Sequence, residues 1–253
     1  KRNLTGMIYT AEAGEFYESE SGEHRFILPN VEPEHRRPEA DWIGGFFEGI
    51  GIRTLSIDAT WEGQGDAIRG ATPRRVVHTY GIGPDARSAQ DAYDEIAHRL
   101  SNEHIQIQFE ANPWFHGNTF MNVYRSRDPD RHPTAILLIC PDALGEGEYE
   151  RLQEFLVDVE MVEITVDESL GYDTNALQVG ETVLAPANLS ETAAEAFRRL
   201  GLKVVNIELG ELFTKGGGAP VCLTNRLWGL DADELPTHAR WSQAPHLRSH
   251  TDA

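Results

Sequence analysis

One order of elements (strand, strand, helix, strand) recurs along this chain at fairly even spacing, and that recurrence narrows the possible folds more than any single motif. One copy reads as strands over 67–69 and 75–79, an amphipathic helix over 88–100 and a returning strand over 105–109. The next takes strands over 119–123 and 136–139, a helix over 147–156 and a strand over 161–164. A further copy holds 176–179, 182–185, a helix over 191–200 and 204–207, with Ser190 placed as N-cap and Gly201 as C-terminal stop. A fourth stands at the front, from a strand at Met7 through a helix around 40–47 to a strand over 54–57. A unit of this size cannot bury a face alone, so the copies must assemble around a shared axis, with inner loops converging on a central cavity. The expected fold class is α/β.

With 253 residues, 40% of them hydrophobic, the chain can build a sizeable core. The repeats place a single domain over 1–230. Residues 231–253 lose the pattern, carry Pro236 and Pro245 with histidines lacking metal-ligand spacing, and read as a tail. A formal charge of −19, from 41 acidic and 22 basic residues, argues against nucleic acid and anionic membranes as partners and only weakly favours a cationic ligand. No stretch approaches the roughly 20 apolar residues of a membrane span, and the first residues lack the apolar core of a signal peptide. The default location is the cytoplasm, and a homo-oligomer is compatible with the sequence. Cys140 and Cys222 imply no disulfide framework.

Three segments at repeat junctions carry chemistry. Gly216-Gly217-Gly218 leads through Ala219-Pro220-Val221 into Cys222, which reads either as a nucleophile presented by a flexible loop or as a small core residue after a tight turn. Glu62-Gly63-Gln64-Gly65-Asp66 brackets glycines with acids, as a cavity-facing carboxylate or as a plain Asp turn. In 112–119, His116 stands between an aromatic pair and a polar run, where a structural histidine is the commoner outcome. The three together supply a nucleophile, an acid/base and a carboxylate, and this coincidence favours the catalytic reading.

These segments resemble the guanidino-group-modifying enzymes, the pentein superfamily, which includes dimethylarginine dimethylaminohydrolase, arginine deiminase, arginine dihydrolase and the amidinotransferases. The likeness runs from about Met7 to Leu227. Residues 211–218 with Cys222-Leu223-Thr224 resemble the loop before the family's catalytic cysteine, and 175–180 the strand and turn one repeat earlier. Residues 62–66 resemble the acidic glycine motif whose final Asp holds the guanidinium, and 115–119 the segment of the catalytic histidine. The resemblance implies an α/β propeller of five ββαβ modules around a pseudo-fivefold axis. Relatives usually begin some tens of residues upstream, so the N-terminal part of the fifth module is expected to be missing.

The implied reaction needs no metal or organic cofactor. Its substrate is a small cationic guanidino compound, a resonance-stabilised and poor electrophile that demands a strong nucleophile held close. Cys222 as thiolate fits this need, its pKa lowered by the substrate's charge or by His116. Asp66 is expected to grip the planar cation, with Glu62, Asn118, Glu12 and Gly218 around it. A second acid is expected from the helix after Arg87, as Asp94 or Glu95, unless these are ordinary surface acids. His116 would protonate the leaving amine and then deprotonate water. Many relatives carry Asp where this chain has Asn118, and Asn where it has Glu12, so a charge has moved across the expected pocket. The expected function is hydrolysis of arginine or a substituted arginine through a thiouronium on Cys222. Amidino transfer to an amine acceptor is the alternative, and a non-catalytic binding protein on the same fold is a third.

Overall fold

The computed structural model describes residues 4, 6–19, 21–70, 75–99, 103–208 and 210–240. In the first unit, β1 (Glu15–Glu18) and β2 (His24–Ile27) are followed by α1 (Glu39–Gly49) and β3 (Arg53–Leu55). The second has β4 (Ala67–Arg69), β5 (Arg75–Ile82), α2 (Ala92–Ala97) and β6 (Glu103–Glu110). The third has β7 (Met121–Arg125), β8 (Ala135–Ile139), α3 (Glu148–Phe155) and β9 (Glu160–Glu163), and the short α4 (Val166–Leu170) leads out of it. The fourth has β10 (Leu177–Val179), β11 (Thr182–Pro186), α5 (Glu191–Arg199) and β12 (Lys203–Ile207).

Each unit forms its own three-stranded sheet with the second strand in the middle. The first strand pairs antiparallel with the second, and the third returns parallel after the helix, as a crossover connection requires. The protein is thus a mixed α/β fold of ββαβ units. Four are present among the described residues. The front of the chain meets the segment following the fourth unit: Ala11 N donates to Cys222 O at 3.1 Å, and Asn225 Nδ2 donates to Thr10 O at 3.1 Å and Gly14 O at 2.9 Å.

Local chemistry explains where the elements begin and end. Ser190 Oγ accepts from Ala193 N at 3.1 Å at the start of α5, and Gly201 takes φ +71° just past its end. All five residues of β8 are buried, the continuous apolar run expected of a central strand covered on both faces. Phe197 of α5 meets Tyr124 edge-on in this core, ring centroids 4.6 Å apart.

Three expectations are corrected. Met7 lies in a turn rather than a strand, and a 3-10 turn over Thr10–Ala13 precedes β1. Gly14 turns the chain there at φ +122°, where a Cβ would fall 2.1 Å from Ile27 O. The helix expected over 88–100 is confined to Ala92–Ala97. Ser88 is drawn out of it by a hydrogen bond to the buried Asp66, and Ala89 N donates to Thr60 O at 2.8 Å; Leu100 falls outside the described residues. Thr119 belongs to a 3-10 turn, and β7 starts two residues later.

Candidate active site

The turn Gly63–Gly65 lies between the first two units and carries Glu62 on one side and Asp66 on the other. Its glycines make room for neighbours: a Cβ at Gly63 would meet Gly14 N at 2.5 Å, and one at Gly65 would meet the His116 ring at 3.1 Å. The ring thereby reaches Glu62, with His116 Nε2 2.7 Å from Glu62 Oε2. Glu62 Oε1 accepts from Glu32 N at 3.0 Å, and Arg87 Nη1 stands 3.9 Å away. Burial opposes charge on Glu62, but His116 and Arg87 hold its pKa below the ordinary carboxylate value.

Asp66 is fully buried and spent on three donors. Its Oδ1 accepts from Thr79 Oγ1 at 2.6 Å and from Gly117 N at 2.9 Å, and its Oδ2 accepts from Ser88 Oγ at 2.6 Å. It fastens the 3-10 turn Gly117–Thr119 beneath His116, a place behind the histidine and away from the cavity. Burial pushes its carboxyl pKa up, against the pull of His116 and these hydrogen bonds.

The other nitrogen of His116 faces the N-terminal segment. Glu12 Oε1 lies 3.7 Å from His116 Nδ1, which has no hydrogen-bond partner. Glu12 Oε2 pairs with Arg36, whose guanidinium also reaches Glu39 at 3.0 Å and Gly6 O at 3.2 Å. Burial disfavours a charged imidazole here, yet Asp66, the Glu62 hydrogen bond and Glu12 outweigh it and raise the His116 pKa to about 9. His116 is therefore protonated at neutral pH.

Cys222 is 1% exposed, and its loop is held by the Asn175 side chain. Asn175 Oδ1 accepts from Cys222 N and Ala219 N, each at 3.2 Å, and Asn175 Nδ2 donates to Asn118 O at 3.1 Å. Cys222 Sγ stands 3.8 Å from Asn118 Oδ1. Gly218 is closed over it, since a Cβ there would meet Cys222 Cβ at 2.8 Å and the Tyr9 ring at 2.9 Å. Burial, joined by the charge of Glu12, pushes the Cys222 thiol up to about 12 against the Asn175, Ala219 and Asn118 hydrogen bonds. The thiol is therefore neutral at neutral pH.

Beside this cluster opens a cavity of about 370 Å³ lined by Tyr9, Glu12, Arg36, Arg87, Phe115 and His116, with Gly216 and Gly217 on its loop wall. Asp94 does not reach it. That residue is exposed on α2, and Glu95 instead accepts from Asp58 N at 3.0 Å and Ala59 N at 2.8 Å. Glu12, from the N-terminal segment, is the acidic residue in the cavity lining. Ligand atoms of Glu12, Glu62 and His116 lie within 4.8 Å of one another, a spacing open to a divalent cation. Within this cluster Arg36 already pairs with Glu12, and His116 Nε2 with Glu62.

No protein-family model matches the chain, and no curated protein does. Solved structures do. The product-bound N-terminal domain of ArgZ, an arginine dihydrolase of cyanobacteria, matches with a TM-score of 0.74 at 24% identity over 88% of this chain and 76% of that one. AgrE with ornithine and NAD+ matches with a TM-score of 0.76 at 22% identity, covering 93% of this chain and 32% of AgrE. A dimethylarginine dimethylaminohydrolase adduct gives 0.55 at 22% identity, covering 85% and 76%.

The chain shares the fold of these structures. Within it, the structure gathers Cys222, Asn118, His116, Glu62, Glu12 and Gly218 in one region and leaves Asp94 outside. Three contributors have no role in the motif reading: Arg36 and Arg87, which line the cavity, and Asn175, which ties the Cys222 loop to Asn118. Asn175 lies in a segment that the motif comparison already marked. The two arginines carry no local signal, being loop residues among many surface charges. No helix among the described residues is long and apolar enough to cross a membrane.

Proposed function

We propose that this chain is a cysteine-dependent hydrolase acting on the guanidinium group of arginine or a substituted arginine, with residues 1–230 as one catalytic domain. The observation that carries the reading is the pairing of a buried thiol with a protonated histidine, both influenced by one carboxylate, Glu12, at the base of a cavity. A guanidinium entering beside Glu12 brings a positive charge to the thiol and lowers its pKa, so that the thiol gives its proton to solvent and the thiolate forms only when substrate is present. Sγ attacks the central carbon and a C–N π pair moves onto nitrogen. The tetrahedral adduct collapses as His116 gives its Nδ1 proton to the departing amine, leaving an S-alkylthiouronium. Neutral His116 then takes a proton from water attacking the same carbon, the C–S bond breaks as the adduct's hydroxyl proton passes to sulfur, and a ureido product leaves with the thiol restored.

Glu62 holds His116 in register throughout, and Asp66 braces its loop. Arg36 and Arg87 at the cavity wall suit the carboxylate of an amino-acid substrate, which would relieve Arg36 of part of its contact with Glu12. Hydrolysis is preferred over amidino transfer because ArgZ is an arginine dihydrolase and another neighbour a dimethylarginine dimethylaminohydrolase, and because the ArgZ domain also exists covalently bound to a reaction intermediate. The deciding experiment is intact-protein mass spectrometry after rapid acid quench with arginine, methylated arginines and other guanidino compounds, run beside Cys222→Ser. A Cys222 adduct keeping the substrate's alkyl chain supports the hydrolase. A bare amidino adduct would mean that the alkylamine leaves, pointing to amidino transfer or ornithine-releasing hydrolysis, and neither adduct nor product with any compound would leave a binding protein.

A further inference from the structure

A second cavity, with Asn118, Val221 and Thr224 in its wall, shares no lining residue with the first among the described residues. Three arginines meet in it. Arg69 closes β4, Arg125 closes β7, and Arg226 follows the Cys222 loop. Their guanidinium carbons stand 5.7, 5.9 and 5.2 Å from the centre of one indole ring, that of Trp228. Cation–π contact with one ring offsets little of the repulsion among three like charges.

Among the described residues Glu15 pairs with Arg69 at the edge of this cluster. Arg226 donates to Gln178 O, a neutral acceptor. Arg125 has no carboxylate within ion-pair distance among the described residues, and its Nε is buried without a hydrogen-bond partner. Burial and the neighbouring Arg226 and Arg69 depress the Arg125 pKa to about 10, the mark of a cation crowded by its own kind. Asn118, also in this lining, is 2% exposed and its Nδ2 has no partner either. Buried donors left unsatisfied cost about 1–3 kcal/mol each, more when charged, so two of them lining one cavity point to an acceptor there that the described residues do not supply.

We propose that this cavity is a binding site for a small oxyanion, a phosphate group, held by Arg125 and Arg226 over Trp228. Its volume of about 70 Å³ is roughly half of the ~150 Å³ cavity that takes up benzene, room for an ion of a few heavy atoms. Two guanidiniums offer the planar forks that match phosphate oxygens bidentately. Asn118 links the site to catalysis, since its Oδ1 stands 3.8 Å from Cys222 Sγ on one side while the residue lines the anion cavity on the other.

The test is calorimetric titration of the full chain with inorganic phosphate at constant ionic strength, with acetate as the singly charged comparison. Phosphate should bind more tightly than acetate. Arg125→Gln should weaken phosphate at least tenfold and, with one repelling charge gone, melt higher than wild type in phosphate-free buffer. Arg87→Gln, on the other cavity, should leave phosphate binding unchanged, which separates this site from the one that takes guanidino compounds. If Arg125→Gln does not fold, Arg125→Lys keeps the charge without the fork and should still weaken binding. O-phosphoserine binding as tightly as phosphate would identify a phosphomonoester as the source, and weaker binding the free ion. No phosphate binding by wild type, equal binding by the Arg125 variants, or a loss caused by Arg87→Gln would overturn the proposal.

Discussion

Glu12 Oε1 lies 3.7 Å from His116 Nδ1, and the same carboxylate adds its charge to the surroundings of Cys222. One negative group thus raises the pKa of both the candidate acid and the candidate nucleophile. Glu12→Gln should lower both. The readout is the pH dependence of iodoacetamide alkylation, with Cys140 as internal reference. In wild type without substrate, Cys222 should label slowly at neutral pH because its thiol is pushed up to about 12. In Glu12→Gln the profile should move to lower pH while that of Cys140 stays, and an unmoved Cys222 profile would remove Glu12 from the site.

Glu62 touches His116 through the one ring nitrogen that does not face the cavity, at 2.7 Å. It fixes the tautomer and supports the charged imidazole. Glu62→Gln should therefore lower kcat by about 10²–10⁴-fold, the range of general acid–base contributions, with KM changed much less. The alkaline limb of the kcat profile should also move to lower pH, because one of the groups holding His116 near 9 has lost its charge. A variant with raised KM and unaltered kcat would make Glu62 a substrate ligand instead.

The fold was readable because alternation and helical period survive in each repeat: β8 is an unbroken apolar run, and α5 carries its own cap and stop. The helix over 88–100 was overextended because Ser88 answers to Asp66, a partner 22 residues away that local pattern cannot reveal. The site divides along the same line. Cys222, His116 and Glu62 stand in glycine-marked turns whose geometry is written locally. Asp66 carries a motif position, but its donors Thr79, Ser88 and Gly117 come from three other segments, so its bracing role appears only in three dimensions. Arg36 likewise reaches Glu12 from a separate turn, with nothing in the residues around it to mark the contact.

Asp66 offers a test that separates a substrate ligand from a brace. Asp66→Asn keeps the shape but turns three charge-assisted hydrogen bonds into neutral ones and forces an amide group toward a donor. Hydrogen bonds to charged groups contribute about 1.5–3 kcal/mol each, so the variant should lose a few kcal/mol in chemical denaturation. Asp66 is also the foremost group raising the His116 pKa, so kcat should fall with it. A raised KM with unchanged stability is the outcome a direct guanidinium ligand would give, and it would restore Asp66 to the cavity.

The pH dependence of stability isolates His116. Its pKa is about 9 in the fold against 6.5 for the free side chain, so the folded state binds the proton more tightly than the unfolded chain. The stabilisation is fully present below about pH 6.5 and is lost as pH rises through 9. Integrated over that window, a shift of this size amounts to ~3 kcal/mol. His78 and His104 are held neutral by burial, so their titration destabilises the fold on the acid side, below their ordinary value of 6.5. The Cys222 thiol acts above its ordinary value of 9.0. Urea midpoints measured in steps from pH 6.5 to 9 should therefore fall in wild type, and fall much less in His116→Asn. Parallel curves for the two proteins would mean that His116 is not the charged partner of Glu62 and Glu12, and would move the proton for the leaving amine to another group.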